Sequence, residues 1–205
     1  TLSDAQSVIV CLFPYFSGHN LDANLSKSSI SIDYHIIVKE KLEQIGRYLS
    51  SLIPGFRYAA FTDNGPLADR YLAYYSGLGF WGINSHIITD KYGSYVFIGY
   101  IINNHPFEPD TPKGRTCLKC GACIKACPGS AILGNFDINP LLCRSYITQK
   151  KGELSEHEEN ILKKHSLIFG CDICQDVCPH NSDAAFTPIR EFSENLKSKI
   201  EYEEL

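Results

Sequence analysis

The sequence predicts an α+β protein: an N-terminal α/β domain over residues 1–106, a small cysteine-rich module over 107–190 and a helical tail over 191–205. Three observations carry this reading. The first hundred residues alternate apolar runs of strand length with a long stretch of helical spacing. Seven of the nine cysteines fall in two short runs, Thr116 to Ile132 and Gly170 to Asn181. Between these regions, residues 103–116 hold three prolines and read as a linker.

Each element follows in chain order. The apolar run 7–15 is flanked by turn formers and suits a strand buried on both faces, with Cys11 inside it as a small hydrophobe. Residues 20–33 are polar and read as a loop. From Asp33, a natural N-cap, apolar residues at 36, 37, 38, 42, 45, 49, 52 and 53 mark one helix face, and Pro54-Gly55 ends it. Residues 56–63 form a second strand. Pro66 suits the first position of another helix, which the glycines at 77 and 79 close. Residues 85–102 read as a hairpin turning near Lys91 to Gly93. The charged, weakly amphipathic stretch 191–205 reads as a surface helix.

Composition narrows the function. The apolar and charged fractions, 44% and 20%, are those of an ordinary globular protein, and no apolar run approaches the roughly 18 residues of a membrane span. The first residues lack the basic region and cleavage site of a secretory signal, so a cytoplasmic protein without a membrane partner is expected. A net charge of −4 argues against autonomous, high-affinity nucleic-acid binding. Lys113, Arg115, Lys119 and Lys125 surround the first cysteine run and read as a solvated rim offsetting negative metal–thiolate groups.

Cys117, Cys120, Cys123 and Cys127-Pro128 have the C-x2-C-x2-C-x3-C-P spacing of bacterial two-cluster ferredoxins. Three thiolates two residues apart wrap three corners of one cubane, and the fourth, on the following helix, serves a second. Cys171, Cys174 and Cys178-Pro179 match the last three ligands of a second run, and the missing first ligand can come from Cys143. Crossed ligation then gives Cys117, Cys120, Cys123 and Cys178 to one [4Fe–4S] cluster, and Cys127, Cys143, Cys171 and Cys174 to the other. Disulfides suit neither the compartment nor the dense spacing. Zinc knuckles would need two paired C-x2-C units and leave the prolines unexplained.

The cysteine-poor half carries polar groups around Asp33-Tyr34-His35, in 61–70 and in 77–85, and Tyr146 follows Cys143. With "DYH...K.KL", "TD..PL.DR..A..SGLG..GIN", "GSYVFIG", "C.SYIT..KG" and "FGCDICQDVCPHN", the chain resembles the epoxyqueuosine reductases of tRNA queuosine biosynthesis from about residue 6 to 190. A more distant likeness joins these to corrinoid reductive dehalogenases. The resemblance implies base-off cobalamin in the α/β domain, a ferredoxin-like module feeding it electrons from an external low-potential donor, and tRNA as partner. It puts the general acid on Asp63, and corrin contacts on Tyr34, His35, Arg70, Gly79, Asn84 and Tyr146. From the residues alone, Asp63 is a turn residue in "TDNGP", and Arg70 a partner for Asp69 or Glu40.

Three positions depart from the family pattern. Asp69 stands for a glutamate, Ile83 for a lysine and Tyr100 for a glutamate, and all three are expected in the pocket. Such changes keep two other functions in view: an electron carrier or corrinoid-reactivation partner, and a corrinoid reductase of a small molecule.

Overall fold

The computed structural model describes residues 2–18 and 22–201. Residues 20 and 21 of the expected polar loop, and 202–205 of the tail, lie outside them. Strand β1 (Ser7–Pro14), helix α1 (Tyr34–Leu52), strand β2 (Tyr58–Thr62) and helix α2 (Asp69–Tyr75) follow the expected order. Short strands β3 (Phe80–Trp81) and β4 (Ile87–Ile88) and the long β5 (Val96–Asn103) complete the first half. The second half holds only short helices: α3 (Ala122–Ala126), α4 (Arg144–Ile147), α5 (Glu156–Leu162) and α6 (Ile173–Asp176).

The three-stranded sheet has the order β1-β5-β2, and both pairings are antiparallel. The last strand, not the first, is therefore central. Tyr100, Ile101 and Ile102 of β5 are buried, whereas β1 is half-buried over Ser7 to Leu12. That corrects the expectation of a first strand covered on both faces, and Cys11 is half-buried rather than enclosed. The expected hairpin is corrected too. Its reversal exists, with Thr89 bridging Gly93, but β4 pairs with β3. A strand has two edges, and those of β5 are taken by β1 and β2.

Helix α1 matches its sequence signals closely. The Asp33 side chain accepts from the His35 amide at 2.9 Å and caps the helix. Ile37, Val38 and Leu42 then pack with Phe13, Tyr15, Phe16, Tyr95 and Ile101 into the main core. Phe192 enters this core from the far end of the chain, with Ala184 and Ile189 beside it. The segment after the second cysteine run thus folds back onto the sheet.

Buried polar side chains lock this return. The Gln175 amide donates to the Ser94 carbonyl at 2.9 Å, and the Asn181 amide to the Ser94 hydroxyl at 2.9 Å and the Gln175 carbonyl at 2.8 Å. The Thr187 hydroxyl donates to the Pro14 carbonyl at 2.6 Å. Each such bond stabilises by about 1 kcal/mol, and removing one partner costs more because the other stays buried.

The expected tail helix is not formed over the described residues. Beyond a single turn at Arg190–Phe192 the chain has no regular helix. Its backbone instead bonds to the segment before α1: Asn24 N–H to Ser198 O at 3.0 Å, and Lys197 N–H to Ile30 O at 2.7 Å. Tertiary pairing overrides a weak helical pattern of this kind.

Candidate functional site: two thiol groups beside a cleft

Helices α3 and α6, one from each cysteine run, pack against each other. Gly121 enters α3 with φ 76°, a left-handed turn that lets the loop bearing Cys117 and Cys120 fold back. Cys127 and Cys178 are both extended, as residues before proline must be, and so leave their helices.

All nine cysteines are free thiols. Burial pushes up the pKa of Cys123, Cys178, Cys174 and Cys171, the last to about 11. Backbone hydrogen bonds from Ile173 and His180 pull Cys171 and Cys178 back down, and smaller contributions come from neighbouring sulfurs. Cys123 feels Cys178 and Cys117, and Cys178 feels Cys117 and Cys120. Cys171 feels Cys143, and Cys174 feels Cys171, Cys143 and Cys127 before Cys123. Cys123, Cys178, Cys117 and Cys120 are thus neighbours, as are Cys171, Cys143, Cys174 and Cys127, and Cys174 also lies near Cys123. Among the described residues no three His, Cys, Asp or Glu side chains close on a single ion.

Arg144 adds a test of fit that the sequence reading overlooked. Its buried Nε has no partner, and the guanidinium meets Cys171. An anionic thiolate-bound cluster answers a buried, unmatched donor of this kind.

Three adjoining cavities run from these thiols along the sheet. The one of about 370 Å³ is lined by Cys127, Cys143, Cys171 and Cys174, with Asn84, His86, Arg144 and Tyr146. Arg70 and His86 are shared with a second, of about 560 Å³, that holds Asp63, Asp69, Trp81 and the β5 residues Val96 to Ile98. Phe97 is shared with a third, of about 430 Å³, lined by Asp33, Tyr34 and His35. Ser145 and Gln149 join the third back to the first. The cleft thus places the Cys143 group and Asp63 along one connected surface.

Asp63 stands at the centre of a polar array. Its φ of 57° places it in a strained turn after β2, as the turn reading expects, and its side chain lines the second cavity. The carboxylate accepts from the Tyr34 hydroxyl, and its Oδ2 lies 3.0 Å from His35 Nε2. His35 Nδ1 in turn lies 2.7 Å from Asp33 Oδ1. Tyr34 is fixed by stacking on Phe97, ring centroids 4.0 Å apart. Nearby, burial and the charge of Asp63 push the Asp69 carboxyl above its ordinary pKa, and its Oδ1 is buried without a partner.

Other expected residues land differently. Arg70 Nη1 donates to the Ser85 carbonyl at 2.7 Å, and the guanidinium lies over Trp81, so it holds the 82–86 turn rather than pairing with Asp69 or Glu40. Asn84 reaches the Cys174 carbonyl at 3.3 Å and belongs to the thiol end of the cleft. A side chain on Gly79 would meet Ile87 and Ile88 at 2.7 Å. That glycine serves the β3–β4 contact and lies outside the three cavities, a correction to its reading as a ligand contact. Two pocket departures also move. Ile83 packs on Cys123 and Ile132, and Tyr100 is fully buried, its oxygen accepting from the Leu67 amide at 3.1 Å. Only Asp69 lines the cleft. His86 was overlooked in the sequence. Burial and Arg70 hold its pKa down to about 4, leaving a neutral ring 3.8 Å from the Cys174 sulfur.

Fold and site define an iron–sulfur protein: residues 116–181 match the 4Fe-4S double cluster binding domain, and residues 1–64 match "Epoxyqueuosine reductase QueG, DUF1730". The chain is 38% identical over 208 residues to the epoxyqueuosine reductase of Leadbetterella byssophila, spanning 98% of this chain and 68% of that protein. It belongs to the epoxyqueuosine reductase family. The Listeria monocytogenes epoxyqueuosine reductase is 42% identical over 76% of this chain and 41% of its own length. Among solved structures, the Streptococcus thermophilus enzyme superposes with a TM-score of 0.81 at 32% identity, covering 92% of this chain and 52% of that one. An epoxyqueuosine reductase with an epoxyqueuosine-modified tRNA-Tyr stem loop gives 0.86 at 35%, covering 94% and 53%. The chain spans about half the length of most curated relatives it matches. Among the described residues no helix is long and apolar enough to cross a membrane.

Proposed function

We propose that this chain forms the reductase core of an epoxyqueuosine reductase acting on tRNA, with cobalamin in the cleft. The single observation that carries the proposal is the connected cleft, with a carboxylate array at one end and four cysteines at the other. Cys117, Cys120, Cys123 and Cys178 would hold one [4Fe–4S] cluster, and Cys127, Cys143, Cys171 and Cys174 the cleft-side cluster. Tyr34, Phe97, Arg70 and Tyr146 would hold the macrocycle, whose flat face suits the apolar β5 floor and whose rim amides suit the polar groups around it. Bound cobalamin supplies a strongly reducing metal centre, and the clusters supply single electrons.

Converting the epoxide to an alkene takes two electrons and two protons and releases the oxygen as water. Asp63 is the carboxyl group placed to protonate that oxygen. His35, oriented by Asp33, is placed to return a proton to Asp63, and Tyr34 holds the carboxylate facing the cleft. A related Bacillus subtilis structure shows a catalytic aspartate loop swung out of its active site, which supports a mobile, catalytic role for the strained Asp63 turn. The electron donor would approach the exposed Cys120 side.

Ile83 and Tyr100 do not line the cavities and stand behind residues that do, Asn84 and Leu67, so a change of substrate contact does not follow from them. The test is titration of reconstituted protein with cob(II)alamin, followed by reaction with an epoxyqueuosine-modified stem loop under reduction. A shift to the base-off spectrum and formation of queuosine are expected. Iron-loaded protein that leaves the cob(II)alamin spectrum unchanged would demote the chain to an electron carrier.

A further inference from the structure

Arg144 opens helix α4 directly after Cys143 and is 2% exposed. Its guanidinium donates to the carbonyls of His165 at 2.9 Å, Leu162 at 3.2 Å and Gly170 at 3.3 Å, and also to that of Leu167. These acceptors are neutral. Among the described residues no carboxylate pairs with it; its charge meets Cys171, which lines the same cavity along with Cys127, Cys143 and Cys174, and His165 also lies near. The Nε remains buried and unpartnered.

Taking a guanidinium out of water costs several kcal/mol, and carbonyl dipoles offset part of this without balancing the charge. The cleft-side cysteines answer the remainder. A cubane with four thiolates is a dianion when oxidised and a trianion when reduced, so a neighbouring fixed cation favours the reduced form more. Net charge and sulfur hydrogen bonds are established determinants of cluster potential.

We propose that Arg144 is the counter-cation of the cleft-side cluster and holds its reduction potential above the value its four thiolates alone would set. This rests on the assignment of Cys127, Cys143, Cys171 and Cys174 to one cluster. Arg144 acts through Cys171 and is a tuning residue, not a catalytic one. The consequence is directional: removing the charge of Arg144 makes the cluster lining the cleft harder to reduce and leaves the cluster near Cys120 as it was. A purely structural Arg144, clamping the 162–170 segment by its carbonyls, predicts no such bias.

The experiment is a redox titration followed by electron paramagnetic resonance, with iron and sulfide measured first. Unsubstituted protein without iron overturns the cluster assignment of the preceding section. With both clusters loaded, Arg144→Gln should move one of the two one-electron steps downward. The expected drop in the reduced-to-oxidised ratio is at least tenfold, about 59 mV for a one-electron couple. The other step stays in place, and Arg144→Lys, which keeps the charge, holds the shift to less than about threefold. An Arg144→Gln protein with both steps unmoved, or both moved alike, refutes the tuning role. Should that variant lose iron, unsubstituted protein labelled with 15N-arginine decides. Spin-echo modulation of the reduced cluster must then show a 15N coupling that Arg144→Lys abolishes, and its absence refutes the proposal.

Discussion

The two groups of four cysteines arise from the same spacing rule yet sit in different surroundings. One includes the exposed Cys120 and lies beside a basic rim in which Arg115 pairs with Asp90 and Lys119 covers Phe136. The other is walled by Arg144, Asn84 and the neutral His86, and it opens on the cleft that contains Asp63. The difference teaches that sulfur spacing sets where clusters are held, while the walls decide what each can do. An exposed edge suits electron entry. An edge that opens on the cleft with the carboxylate array suits delivery to bound substrate.

The largest effects should come from breaking one group and sparing the other. Cys143→Ser and Cys120→Ser should each lower bound iron to roughly half, the complement of one of two equal clusters, and each should abolish turnover. Cys143 is the informative member because its position in the sequence is displaced from the second run. Full iron retention in Cys143→Ser, measured by metal analysis, would remove it from the ligand set and break the comparison.

Next comes the far end of the cleft. Asp63→Asn keeps the shape and the acceptor for Tyr34 but has no acidic proton to give. General acid catalysis is worth about 10²–10⁴-fold, so kcat should fall by that much. Iron content and cob(II)alamin affinity should not change. If kcat falls less than about tenfold, the proton comes from elsewhere.

Much of this arrangement was legible from sequence, for definable reasons. Cluster ligands are tied to local spacing, so a double-cluster domain could be read directly from the two cysteine runs, and the capped helix α1 announced itself through Asp33 and its apolar face. Strand neighbours could not be read, because the pairing of β5 with β1 and β2 is non-local and leaves no mark on the order of residues. Arg144 and His86 were missed for a related reason. An arginine after a cysteine and a histidine before two isoleucines look like surface residues until the fold buries one and brings the other to Cys174. A cation immediately beside a predicted cluster ligand was the available signal for Arg144. The tail misled through composition: its charges favour a helix, but its backbone is claimed by Asn24 and Ile30.

Phe192 tests whether the second half is structurally separable from the first. It is fully buried against Phe97 and the α1 face, 95 residues away in sequence from its ring partner. Phe192→Ala should cost about 3–5 kcal/mol, the usual loss for a core phenylalanine. Because Asn181 and Gln175 tie the same region to Ser94, the loss should appear as one cooperative transition with earlier release of iron. Two separate transitions in calorimetry, with the cysteine half unaffected, would mean that the halves fold independently.

The smallest effect isolates the cleft's own charge balance. Asp69 begins α2, where a helix N-terminus favours a carboxylate by about 0.3–1 kcal/mol. Against this stand burial, the charge of Asp63 and an unpartnered Oδ1, which together raise its pKa. A raised folded-state pKa means the native protein binds this proton more tightly than the unfolded chain. The associated stabilisation is complete below the ordinary carboxylate range and is lost as pH rises through the raised pKa. Asp69→Asn should therefore be the more stable protein near neutrality, by less than about 1 kcal/mol because the group is partly solvated and screened. That corresponds to a melting-temperature gain of at most about 2–4 °C, shrinking toward zero as the pH is lowered. Iron-loaded samples melted between about pH 5 and pH 8 would show it. A less stable Asn variant at pH 8 would mean that the helix terminus outweighs Asp63 and that Asp69 is an anion at the cleft wall.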